Sequence, residues 1–231
     1  MKKAVSLILC ILFLSMLCAC DKTEKIPAST ESTPDSEVSQ DISYDGLSIV
    51  GTWVCEKISD DVYFIFDEYG DAYAKWGTST VYGYYDYYED ENLYDIDVPN
   101  FLYNEYEAHF GGDVMTLKSE ESSFTFKKAT MPEVIIKTPD NLAIDNGIIG
   151  NWQSADNYEC YEFRSDGTAV VTDLYNFSTV DCKFSCNDGV ITMYYMASDT
   201  KEGSRQLEYS FTNDGKLVIA GYTYESVTAQ N

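Results

Sequence analysis

The sequence predicts an all-β protein: two tandem small antiparallel meander β-barrels of about eight short strands each, or the two merged into one larger barrel or sandwich. Three observations carry this. A pentapeptide occurs twice, as Ile49-Val50-Gly51-Thr52-Trp53 and Ile148-Ile149-Gly150-Asn151-Trp152, and the residues after each copy also match. Phe64-x-Phe66 before Gly70 lines up with Tyr161-x-Phe163 before Gly167, Phe110 with Phe211, and Phe124-x-Phe126 with Tyr222-x-Tyr224. A repeat that keeps its punctuation in order marks two copies of one folding unit. Within each copy, short apolar-alternating runs are broken by turn residues every ~8–12 positions, the texture of a barrel or sandwich. No stretch sustains a 3.6-residue period between caps, so helices should be few.

Lys2 and Lys3 open the chain, and the run from Ala4 to Ala19 carries no charge. That run is shorter than the ~20 residues a helix needs to cross the hydrocarbon core, so residues 1–19 read as a cleaved signal peptide. It ends Leu17-Cys18-Ala19-Cys20, which resembles the bacterial lipoprotein signal: a Leu three residues before the Cys and a small residue just before it. By that resemblance Cys20 becomes the first mature residue and its thiol takes a diacylglyceryl group. The protein would then be lipid-anchored at the extracellular face of the cytoplasmic membrane. The alternative is an ordinary secretory signal that ends in Cys. Two acyl chains hold a protein at a membrane far more firmly than one.

Residues 20–45 are rich in Ser, Thr, Asp, Glu and Pro, bury too little apolar surface to fold, and read as a flexible acidic tether. The first repeat spans 46–129, with strands expected at 51–57, 62–67, 71–76, 79–88, 93–98, 103–110, 114–119 and 122–128. Residues 130–146 carry Pro132 and Pro139 and read as a linker, with Val134-Ile135-Ile136 able to pair on a sheet edge. The second repeat spans 147–231. Its Ser165-Asp166-Gly167, Asn187-Asp188-Gly189 and Asn213-Asp214-Gly215 triplets are hairpin chemistry, with Gly at the positive-φ position.

The formal net charge is −24, and loss of the signal peptide removes Lys2 and Lys3 but no acid. Such a surface repels phosphate backbones and anionic lipid headgroups, which excludes a nucleic-acid partner. The charge serves solubility, or it recruits cations or a basic partner.

Gly51-Thr52-Trp53 and Gly150-Asn151-Trp152, each opening a series of short strands, resemble the Gly-x-Trp start of lipocalin-like domains. Followed by an aromatic strand and Asp166-Gly167-Thr168, the pattern is similar to the short lipocalin-like domains of Gram-positive lipoproteins, many without assigned activity. The resemblance makes Gly51, Trp53, Gly150 and Trp152 the structural signature. It differs from true lipocalins in length, at about 80 residues per unit. The arginine that lipocalins stack over the Trp from the last strand is replaced in the first repeat by Lys127 or Lys128. Glu225 occupies that stretch in the second. An eight-stranded barrel is just wide enough to be filled by side chains or to hold one small ligand. Inward Trp53, Phe64, Phe66 and Phe110 would mostly fill it.

Of the cysteines after Cys20, Cys182 and Cys186 should point inward with Phe184, about 13 Å apart along one strand and too far to bridge each other. Cys160 should point away from Tyr161 and Phe163, and Cys55 completes the set. Small buried hydrophobes are the expected role, with no metal site and no cofactor. His109, the single histidine, should face outward. No Gly-x-Ser-x-Gly, His-Glu-x-x-His or phosphate loop is present, so no catalytic residues are assigned and an enzyme is not expected.

The stretch Val81-Tyr82-Gly83-Tyr84-Tyr85-Asp86-Tyr87-Tyr88 is the most unusual. Alternation puts Tyr82, Tyr84, Asp86 and Tyr88 on one face, and Gly83, Tyr85 and Tyr87 on the other. One tyrosine row should meet solvent. Tyrosine offers a flat ring and a polar tip, which suits sugar or peptide recognition, while cross-strand aromatic pairing is the structural alternative. The sequence therefore points to a non-enzymatic binding module for a glycan, peptide or small apolar ligand through Tyr82, Tyr84 and Tyr88. The alternative is a structural or interaction component of a cell-envelope assembly with no small-molecule ligand.

Overall fold

A computed structural model describes residues 48–227; the signal peptide, Cys20 and the tether lie outside the described residues. The first eight strands are β1 (Gly51–Cys55), β2 (Ser59–Phe66), β3 (Asp71–Trp76), β4 (Ser79–Tyr88), β5 (Leu93–Val98), β6 (Leu102–Gly111), β7 (Val114–Lys118) and β8 (Ser123–Lys128). The remaining eight are β9 (Gly150–Gln153), β10 (Glu159–Phe163), β11 (Thr168–Asp173), β12 (Ser178–Asn187), β13 (Val190–Met196), β14 (Glu202–Phe211), β15 (Leu217–Ile219) and β16 (Tyr222–Ser226). The one helical piece among the described residues is a 3-10 turn at Asn146–Ile148. The eight expected strands of the first half all form, with ends within a few residues of those expected.

From β1 to β8 each strand pairs antiparallel with the next, and β8 returns to β1. This closes an eight-stranded antiparallel barrel, with the start of β4, before Tyr84, left unpaired on its β5 side. The other eight strands pair in the same sequential order, with β16 against β9. The turn chemistry acts as its residues dictate. Asn187 pairs with Val190 around Asp188 and Gly189, whose φ values of 49° and 77° are the two positive torsions of a type I′ hairpin.

Each half has its own buried cluster. One contains Trp53, Phe64, Phe66, Ile96, Leu102 and Phe126; the other contains Trp152, Tyr161, Phe163, Phe184, Ile191 and Tyr224. Phe110, expected inward, is only half-buried at the edge of the first core, and its counterpart Phe211 is 41% exposed. The repeated pentapeptide explains itself in these cores. The Trp53 indole Nε1 donates to the carbonyl of Ile49 at 2.7 Å, and Trp152 Nε1 donates to that of Ile148 at 2.7 Å. The chain reaches that geometry through Gly51 and Gly150 at φ 142° and 137°, a region that side chains disfavour. Lys128, of the two candidate lysines, stacks over Trp53 with Nζ 5.9 Å from the ring centroid.

The sheets of the two halves join. Ser79, Thr80 and Val81 at the start of β4 pair antiparallel with Val180, Thr179 and Ser178 of β12. Tyr82 N donates to Phe177 O at 2.8 Å, and Asp181 N donates to Thr78 O at 3.0 Å, which extends the ladder at both ends. Thr80 lies opposite Thr179, its own counterpart in the repeat. Beside this seam the Gly77 backbone is so close to the β13–β14 loop that a Cβ would sit 2.1 Å from Met196 O. Val134-Ile135-Ile136 pairs with no strand, and Ile135 is exposed. The end of the linker instead docks on the second half: Cys186 N donates to Ala143 O, and Tyr209 OH donates to the Asp145 carboxylate at 2.7 Å.

Candidate functional site

The tyrosine strand divides as alternation predicts. Tyr85 and Tyr87 turn inward, Tyr85 edge-on to Phe66 and Tyr87 against Tyr94. Tyr82, Tyr84 and Tyr88 face out at 44, 49 and 45% exposure. Gly83 between them is required by packing: a Cβ there would meet Asp97 O at 2.0 Å. At this point β4 leaves β12 and takes up β5, since Val81 is the last residue paired with β12 and Tyr84 the first with β5.

The three outward tyrosines do not form one site. Tyr82 packs edge-on to Tyr73, and its hydroxyl lies 3.2 Å from Thr179 Oγ1 across the seam. Tyr84 and Tyr88 belong to a different surface, shared with β5 and β6. Tyr84 is level with Asp97 and Tyr103, Asp86 with Asp95 and Glu105, and Tyr88 with Leu93 and Glu107. Tyr84, Asp95, Asp97, Tyr103, Asn104 and Glu105 line a shallow cleft of about 400 Å³. The sequence reading missed Tyr103; the register that sets it beside Tyr84 through Asp97 becomes visible only once β5 and β6 are paired.

The electrostatics of this face are one-sided. Asp86, Asp95 and Glu105 lie directly opposite one another on adjacent strands, an arrangement that destabilises a sheet. None of them joins an ion pair among the described residues. Burial and the neighbouring Asp95 carboxylate push the Asp97 carboxyl above its ordinary range. Burial, then Asp97 and Asp95, raises the Tyr84 hydroxyl, and Asp95 is the first cause at Tyr88. The second half has Asp181, Lys183, Ser185 and Asn187 at the four outward places of Tyr82, Tyr84, Asp86 and Tyr88.

A second cleft, about 540 Å³, lies where the β9–β10, β11–β12 and β15–β16 connections gather. Exposed Tyr158, Tyr175 and Tyr222 line it, with Asn157, Asn176 and Asp173 between them. At its floor Glu159 takes the two ends of the Arg205 guanidinium at 2.8 and 3.4 Å, and Tyr161 OH donates to the same carboxylate at 2.6 Å. Burial alone would raise the Glu159 carboxyl, but the Arg205 and Tyr161 hydrogen bonds win and hold it below its ordinary value. No sequence motif marks this cleft. The one available signal was Glu159, an acid two residues before Tyr161 on the inward face.

The remaining candidates are structural. Cys182 and Cys186 are buried beside Phe184, and Cys160 points away from them, half-buried; all four described thiols are unpaired. Burial, with Asp181 nearby, pushes the Cys182 thiol up to about 12, far from nucleophilic use. His109 faces outward, with Nε2 3.3 Å from the Glu107 carboxylate. No cluster of three or more His, Cys, Asp or Glu among the described residues is arranged to hold a metal. No helix among them is long and apolar enough to cross a membrane.

Neither a protein-family model nor a curated protein matches the chain.

Proposed function

We propose that this chain is a lipid-anchored extracellular protein, held through Cys20 by a flexible acidic tether, whose two halves are tandem lipocalin-like barrels acting as a non-enzymatic binding module. The duplicated Gly-x-Trp anchor and the matching pairing order in β9–β16 support the tandem reading. The tyrosine face of the first half is its binding surface, and a basic peptide segment is its ligand.

One observation carries this: Tyr84, Tyr88 and Tyr103 stand exposed around opposed carboxylates that form no ion pair with a basic side chain among the described residues. Lysine or arginine from a partner would relieve the repulsion among Asp86, Asp95 and Glu105 and pack over the tyrosine rings. An envelope spacer without a ligand would have no use for such a face, since the same strand in the second half does without it. The test is titration of the lipid-free mature chain with a Lys/Arg-rich peptide. Tyr84→Ala with Tyr88→Ala should weaken binding at least about tenfold; unchanged affinity would sink the proposal. Anchoring is tested separately by Cys20→Ala, which should release the protein into the medium or leave its signal uncleaved. A normally processed, membrane-bound variant would refute it.

A further inference from the structure

We infer that the tyrosine-rimmed cleft of the second half is a separate binding site, and that its ligand is a neutral oligosaccharide. The cleft is built by local departures from the first half. Trp53 pairs with Phe64, and Trp152 with Tyr161, so Val62 and Glu159, two residues earlier, occupy equivalent inward positions. Strand β10 begins only at Glu159, whereas β2 begins at Ser59, three residues before Val62. The missing strand end leaves the floor uncovered. The β11–β12 connection runs from Leu174 to Phe177, against Gly77 and Thr78 alone in the first half. The longer connection carries Tyr175 and Asn176 to the rim, held by the Asp173 carboxylate, which accepts from both their backbone N–H groups and from the Asn176 side chain.

The chemistry of the lining selects the ligand class by elimination. A long apolar ligand is excluded because the space beneath the floor is filled. Tyr161 stacks on Phe163 at 5.7 Å, Tyr224 meets Tyr161 edge-on at 5.3 Å, and Phe184 meets Phe163 at 5.0 Å. An anion finds no free cation, since both ends of the Arg205 guanidinium are engaged by Glu159. A cation meets one acid without an ion-pair partner, Asp173, and both oxygens of that carboxylate already accept hydrogen bonds from its own turn, while Glu159 is taken by Arg205 and Tyr161. Glu159 and Arg205 cancel one another, and the Asp173 oxygens are occupied by their own turn before any ligand arrives.

What remains is three exposed phenol rings with their hydroxyls, beside two carboxamides that are partly committed, Asn157 to Tyr224 OH and Glu159 N, and Asn176 to Asp173. Tyr158 and Tyr175, at 65 and 71% exposure, stand 5.7 Å apart with their planes inclined at 52°. Flat rings against C–H faces, with neutral donors and acceptors beside them, match a sugar, and about 540 Å³ lies within the size range of small-ligand clefts, roughly 300–1,000 Å³.

The experiment screens the lipid-free mature chain by NMR against cellohexaose, chitohexaose, maltohexaose and xylohexaose. At least one should shift the resonances of Tyr158, Tyr175 and Tyr222. Tyr158→Ala or Tyr175→Ala should weaken that binding about tenfold, and because both residues are exposed the variants should fold. Tyr84→Ala with Tyr88→Ala should leave it unchanged, so failure of the peptide surface and failure of this cleft are told apart. The inference is overturned if none of the four sugars shifts those resonances at millimolar concentration. It is equally overturned if the binding survives both tyrosine substitutions, or if a charged peptide competes for the cleft.

Discussion

The two halves share a scaffold and differ at one end. In the first half that end is plugged: Phe101 packs edge-on to Phe64 at 5.7 Å and lies 5.7 Å from Trp76, and Ile58 packs against the same core. In the second half Asp173 stands where Trp76 stands, and the Glu159–Arg205 pair fills the place behind it. A few substitutions and two changed connections turn an apolar stopper into a polar-floored cup. The strand order, the Trp anchor and the inward aromatics stay. In this architecture the strands set the frame, and the connections at one end decide whether it is closed or open.

The contrast between the halves can be broken most forcefully from the plugged side. Phe101→Ala should cost about 2–3 kcal/mol, below the full range for a buried aromatic because Phe101 is only half-buried. Denaturant unfolding would show this, and a loss under about 0.5 kcal/mol, the scale of an ordinary surface change, would mean the plug is not part of the core. Tyr175→Ala on the open side should fall within about 0.5 kcal/mol by the same measurement.

A smaller effect separates the halves by pH. Glu159→Gln should cost about 1 kcal/mol at pH 7, discounted because the Glu159 and Arg205 side chains remain 28 and 44% exposed. The folded state holds the Glu159 carboxyl below its ordinary 4.5, so its contribution is present above that value and fades as pH falls through the lowered one. Asp97 has the opposite sign. Its carboxyl is held above the ordinary 3.8, so the folded state binds the proton more readily, and acidification relieves the first half. Amide exchange followed from pH 7 to about pH 3.5 should therefore show β10 and β14 losing protection that β4 and β5 keep. Parallel loss in both halves would contradict the assignment.

Much of the frame was legible in the sequence, because alternation, turn triplets and the repeated pentapeptide are local signals. The strand boundaries of the first half came from alternation and turn residues, and alternation split the tyrosines into two rows without saying which row faces out. What period cannot supply is which strands meet. Tyr103 joined the tyrosine face only through register, and Tyr82 left it for the seam for the same reason. Arg205 sits mid-strand among exposed residues and reads as an ordinary surface charge. Only closure of β10 against β9, and the approach of β14, place it on Glu159. Val134-Ile135-Ile136 has strand composition, yet in the linker it pairs with no strand, because composition alone does not supply a partner.

The seam has a consequence for how the two sites stay together. Thr80 faces Thr179, and the flanking bonds from Tyr82 to Phe177 and from Asp181 to Thr78 exchange places under the same half-turn. Contacts in which each residue meets its own equivalent are the mark of a self-complementary dimer interface with two-fold symmetry. Here both partners lie on one polypeptide. Association that would depend on protein concentration between separate copies becomes intramolecular, set by the reach of the residues between the repeats. Freed from having to be identical, the two partners can carry different sites, a tyrosine face on one and an open cup on the other, in a pair that dilution does not separate.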